Sequence, residues 1–250
     1  MQLATHSASS IAGVACLAVG LLSIVLLVRR ERKRTDPVVP VDLLAVPVLG
    51  LSALGAFCAF ISITALLLVL PFRFEGAMGY SPDEVGLLLL PFPLTMLFVS
   101  PVAGWLSDRI APTKLGVTGM AIAIAALLFL ATMPDQPGGF GIAWRLALCA
   151  LGFGLFLSPN SRLLIGRAPR NRSAAAGGLL STARLGGQAL AAAMAGVLLA
   201  HGAGTGALPM FVACAFAVIA ALCCIVRFRS VRAAGGIDAA MRGGPPEPSI

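Results

Sequence analysis

Seven apolar stretches dominate the chain: Ile11 to Val28, Val46 to Leu70, Val85 to Leu106, Leu115 to Thr132, Ile142 to Ile165, Ala174 to Ala200 and Leu208 to Val226. Each has roughly the 17 to 25 residues with which a helix crosses a hydrocarbon core. The period-2 alternation of a transmembrane barrel strand is absent, so these stretches read as helices, whose backbones satisfy their own polar groups in lipid. Composition agrees: of 250 residues 58% are hydrophobic and only 11% charged. A soluble domain carries about 25% charged residues to cover its surface. The fold class expected is an all-α polytopic membrane protein with about seven transmembrane helices.

The formal charge of +8 alone would admit nucleic acid as a partner, but its distribution does not. Arg29, Arg30, Arg32, Lys33, Arg34, Arg109, Lys114, Arg167, Arg170, Arg172, Arg227, Arg229, Arg232 and Arg242 all follow odd-numbered stretches, fourteen of the 18 Lys and Arg. The opposite loops hold Arg73 and Arg145, while Arg162 lies near the end of the fifth stretch and Arg184 within the sixth. The positive-inside rule then puts the amino terminus outside and the carboxyl terminus in the cytoplasm. The first stretch has no basic residue before it and ends in Arg29-Arg30-Glu31-Arg32-Lys33-Arg34, which marks a span with a stop-transfer cluster, not a cleaved signal.

Other function classes find little support. The six cysteines, at 16, 58, 149, 214, 223 and 224, lie in apolar runs without ligand spacing, as small buried hydrophobes do. No P-loop, HExxH or GxSxG occurs, and His6 and His201 are the only histidines. Neither a cofactor, a metal nor an enzyme activity is expected.

The most specific local pattern is Gly104-Trp105-Leu106-Ser107-Asp108-Arg109-Ile110-Ala111-Pro112-Thr113-Lys114, at the cytoplasmic end of the third stretch. By its residues it is a charged hairpin loop, or a clasp in which Asp108 and Arg109 bond to a helix end or to cations of the next helix. Its spacing, G-x-L-x-D-R-x-x-x-x-K, resembles the loop motif of the major facilitator superfamily, with Ala111 in place of a second glycine and Pro112 and Thr113 in place of basic residues. The resemblance implies that Gly104, Asp108, Arg109 and Lys114 form a cytoplasmic gate. Adjacency of the cytoplasmic helix ends leads to the expectation that Asp108 meets Arg162 or Arg167. Gly79 to Pro91 and Arg172 to Gly196 are similar to the outer loop and the penultimate helix of the fourteen-span drug:proton antiporter branch.

In that register residues 1–45 are a linker-type helix with its basic cytoplasmic loop, 46–228 the carboxyl-terminal six-helix bundle, and 229–250 a disordered cytoplasmic tail. The resemblance therefore implies half a secondary transporter. Complete, it would sit in the inner or plasma membrane and export small amphipathic compounds in exchange for protons. Its amino-terminal half would be supplied by a partner or a second copy. A non-transporting remnant, or one subunit of a split transporter, is the alternative.

Candidate pathway residues are few. Arg184 lies near mid-bilayer, where an unpaired Arg costs at least about 2.5 to 3.5 kcal/mol, so it should face a cavity or a partner. Ser181 shares its helix, and Asn160 follows Ser158-Pro159 in the fifth stretch. Ala174, Gly178, Thr182 and Gly186 repeat every four residues and are expected to form a close-packing stripe. No Asp or Glu lies inside the seven stretches, so a proton-coupling acid would have to come from elsewhere.

Overall fold

The computed structural model describes residues 41–134, 137–169, 172–200, 202 and 206–241, with side chains except at 41–42 and 231–241. The first stretch and its basic cluster, Ile11 to Arg34, lie outside the described residues, as do Arg170 and Arg242. Eight helices follow in order: α1 (Val41–Ala45), α2 (Pro47–Gly76), α3 (Pro82–Leu89), α4 (Pro91–Arg109), α5 (Pro112–Ala131), α6 (Gly138–Gly166), α7 (Ser173–Ala200) and α8 (Leu208–Met241). Six units are long and apolar enough to cross a membrane: α2, α3 with α4, α5, α6, α7, and Leu208–Ser230 of α8.

Local sequence sets the helix ends. Helices α2 to α5 begin with proline, whose missing N–H would be unpaired there in any case. Before Pro82, Ser81 forms a capping box with Glu84: the Ser81 N–H donates to Glu84 Oε2 at 2.8 Å, and the Glu84 N–H donates to Ser81 Oγ at 3.4 Å. Gly79 sustains the turn after α2 at φ 73°, a conformation that suits glycine. The third stretch, expected as one span, is built of two helices. Pro91 and Pro93 interrupt the backbone ladder, and the Leu90 N–H turns to the Leu87 carbonyl at 3.3 Å.

Helix α8 continues to Met241, so residues 229–241 of the expected tail are described as helix, while 242–250 lie outside the described residues. No proline occurs between Pro209 and Pro245, and Ala233, Ala234, Ala239 and Ala240 are good helix formers.

Tertiary contacts place α2 against α6, α7 and α8, while α5 packs on α6 and α8. Helix α4 rests mainly on α6, and α7 mainly on α2. Of the most apolar 18 residues in each span, 61% are buried in α2, but only 11% in α3–α4 and 22% in α7. The molecule thus has a closed part, α2, α5, α6 and α8, and two flanking helices with open faces.

Glycine carbonyls and small side chains set the closest approach. A Cβ on Gly119 would stand 2.6 Å from the Gly152 carbonyl oxygen, and one on Gly154 would stand 2.7 Å from Val99 Cγ1. The first contact joins α5 to α6 and the second joins α6 to α4. Bundles in lipid gain their stability from such close packing, since lipid tails are as apolar as leucine.

Candidate functional site

The charged hairpin forms a cluster where α4 and α6 end. Asp108 Oδ1 lies 2.8 Å from Arg162 Nη2. Arg162 Nη1 donates to the Gly104 carbonyl at 2.6 Å and to Ser107 Oγ at 3.0 Å. Ser107 Oγ also donates to the Gly104 carbonyl, at 2.7 Å. Arg162 therefore places a cation near the C-terminal end of α4, where the helix dipole favours positive charge. The pair is half exposed, 52% and 59%, which limits its worth to about 1 kcal/mol or less.

Of the two arginines expected near Asp108, the structure brings Arg162 to it; the Arg167 side chain forms no hydrogen bond or ion pair with a described residue. Arg109 turns away and stacks on Trp105, 4.1 Å from the ring centre. Lys114, exposed at the start of α5, also stays outside the cluster. Gly104 does not act through close packing: a Cβ there would meet only Ser158 Oγ, at 3.6 Å. Its carbonyl is the functional group, held by Arg162 and Ser107.

Arg184 sits eleven residues into α7 on an exposed face with Ser181, Thr182 and Leu185. Its guanidinium carbon lies 5.6 Å from the centre of the Phe60 ring, and its side chain forms no ion pair or hydrogen bond with a described residue. Within the six described spans no carboxylate lies away from the ends; Glu75, Asp83, Glu84 and Asp108 are all terminal.

The packing stripe on α7 is displaced by one position from the one expected. Gly178 has nothing within 4 Å of a Cβ, and the Thr182 hydroxyl turns back to the Gly178 carbonyl at 2.9 Å. Gly186 stands beside Phe57, but the closest approach is at Gly187, where a Cβ would lie 2.6 Å from the Phe57 carbonyl oxygen. The buried line is Leu179, Ala183, Gly187, Ala191 and Ala195. Ala and Gly occur on every side of this helix, so spacing by four offers several equivalent registers. The difference leaves Gly178 and Thr182 on the open face with Arg184.

Asn160 differs from its expected place in a pathway. It is 2% exposed, with Nδ2 donating to the Ser52 carbonyl at 3.0 Å and Oδ1 accepting from Arg227 Nη1 at 2.6 Å. Arg227 Nη1 also donates to Ser52 Oγ at 2.7 Å, so one guanidinium joins α2, α6 and α8. Counted by sequence with a cytoplasmic loop, Arg227 is buried inside α8. Its spacing from Cys223, Cys224 and Ala220 could have revealed this, since all three share the buried face. Arg73 was similarly assigned to an outer loop, yet it is buried in α2 and donates to the Leu130 carbonyl at 3.0 Å and the Met133 carbonyl at 3.5 Å. It caps the end of α5.

A six-helix bundle with a clasped charged hairpin agrees with the comparison of sequences. The profile of the Major Facilitator Superfamily matches residues 3–192 and, in an overlapping alignment, 52–246. The chain belongs to the major facilitator superfamily.

Among superfamily relatives, the uncharacterized transporter YebQ of Escherichia coli K12 is 38% identical over 196 residues, covering 78% of this chain and 43% of YebQ. The tetracenomycin C resistance and export protein of Streptomyces glaucescens is 31% identical, covering 75% of this chain and 35% of that protein. The multidrug efflux pump LfrA of Mycolicibacterium smegmatis is 25% identical, covering 73% and 36% respectively. The chain thus matches less than half the length of these superfamily relatives. As a member of this superfamily it is a multi-pass membrane protein of a transporter family.

Proposed function

We propose that this chain supplies the carboxyl-terminal bundle of a proton-coupled exporter of small amphipathic compounds. In this reading it lies in the cell's inner or plasma membrane, with its carboxyl terminus in the cytoplasm and the hairpin of Gly104, Asp108, Arg109 and Lys114 as the cytoplasmic gate. An amino-terminal bundle covers the open faces of α4 and α7.

Arg184 is the observation that carries this proposal. A mid-helix cation on an open face of α7 calls for a cavity or an anionic partner, and the described spans hold no internal carboxylate to provide one. A second copy of these spans would bring none either. A bundle with a membrane Asp or Glu would neutralise Arg184 and supply the group that binds and releases a proton. Gly178 and Thr182 beside it allow that bundle to come close. The export and efflux named for two of the relatives support the same direction of transport.

The test is ethidium efflux from cells expressing this chain alone or together with the portion of YebQ that this chain does not match. Efflux is expected only with the second bundle, abolished by a protonophore and by Arg184→Gln. Efflux by the chain alone, or efflux unaffected by the protonophore, would overturn the proposal.

A further inference from the structure

Where α4 and α6 end, the bundle contains a cavity of about 420 Å³ bounded by Asp108, Arg162, Arg167 and Arg227, with Val48 of α2 behind them. Its charges do not balance. The single carboxylate is bound to Arg162 at 2.8 Å. Arg227 bonds to the neutral oxygens of Ser52 and Asn160 and weakly to Cys224 Sγ at 3.6 Å. Its Nε is buried without a partner, and the residue is 2% exposed. Arg167 adds a second positive charge without a counter-charge among the described residues, exposed at the cavity wall. The Arg227 charge is held away from water, which is costly, and an anion in this cavity would relieve that cost.

A second cavity of about 410 Å³ lies between α5 and α8 and shares Thr113 and Phe228 with the first. Val117, Ile225 and Phe228 make it apolar, and Lys114 stands on its wall. A small soluble anion would use only the first cavity. A molecule with a phosphate joined to a hydrocarbon chain would fill the two.

We propose that these adjoining cavities bind an anionic phospholipid of the adjoining leaflet, its phosphate facing Arg167 and Arg227 and one acyl chain lying along Val117, Ile225 and Phe228. The site is on the periphery of the bundle, and the proposal does not depend on what the protein transports. Lipid held there would tie the ends of α4, α6 and α8 together beside the Asp108–Arg162 clasp.

The full chain, reconstituted in nanodiscs of equal phosphatidylglycerol and phosphatidylcholine, would be released and its retained lipid weighed by native mass spectrometry. Phosphatidylglycerol should be retained in preference. Arg167→Gln should reduce that preference about fivefold, the effect of one surface cation on an anionic lipid. Asp108→Asn, which frees Arg162, should increase it. Val117→Trp, which fills the apolar cavity, should reduce retention of either lipid. Equal retention of the two lipids, or a preference unchanged in Arg167→Gln, would overturn the proposal. So would displacement of the lipid by millimolar inorganic phosphate, which would assign the site to a soluble anion.

Discussion

Two arginines, Arg227 and Arg184, show how the closed and open parts of the molecule differ. Each lies in an apolar helix, and neither has a carboxylate within salt-bridge distance among the described residues. Arg227 is enclosed by α2, α6 and α8 and bonds to Ser52 and Asn160. Arg184 looks out from α7, its guanidinium carbon 5.6 Å from the centre of the Phe60 ring. The same chemical group thus joins three helices in one region and stands on an exposed face in the other. In a membrane bundle, the location of polar atoms relative to packed faces says more about function than their number.

The sharpest challenge to this contrast is one substitution made in each region. Gly152→Val would force a side chain against the backbone of α5 and should destabilise the chain by about 3 kcal/mol in detergent unfolding. Gly178→Val, with open space around it, should stay within about 0.5 kcal/mol. Equal losses would show that α7 is also packed on that side. Next in size, Arg227→Ala should cost about 2 kcal/mol, because Asn160 and Ser52 lose a charged donor while the unpaired charge is relieved. A melting temperature unchanged by this substitution would remove its role as a joint. Asp108→Asn should cost less than about 1 kcal/mol, since its ion pair is half exposed; a larger loss would make the hairpin part of the core. The smallest effect belongs to Arg184→Gln, which should leave the melting temperature of the isolated chain unchanged while abolishing efflux in the completed assembly. A large drop in stability would mean that Arg184 has a structural partner within this chain.

Much of this architecture was legible in the sequence, and the failures have common causes. The spans were visible because length and hydropathy are set by the bilayer. The Asp108 hairpin was legible because charged residues at a helix end have few places to go. What stayed hidden was rotation about each helix axis. Helix α7 is small or apolar on every face, so its buried line could not be distinguished from its open one. Arg73 and Arg227 were assigned to loops because a charge near the end of an apolar run normally marks the interface. Only the helices that continue beyond them bring Ser52, Asn160 and the end of α5 within reach.

Helix α2 binds its partners late in the chain. Ser62 donates to the Ala213 carbonyl at 2.7 Å across 151 positions of sequence, and Ser52 meets Arg227 across 175. Helices α5 and α6, by contrast, cross at Gly119 and Gly152 as neighbours joined by a short loop. During synthesis the α5–α6 hairpin can therefore form as soon as it enters the membrane, and α2 can meet α6 and α7 next, while the bonds of Ser52 and Ser62 to α8 form only after α8 emerges from the ribosome. A ribosome that stops before α8 leaves behind an α2 packed on α6 and α7 but lacking the bonds that Arg227 and Ala213 supply.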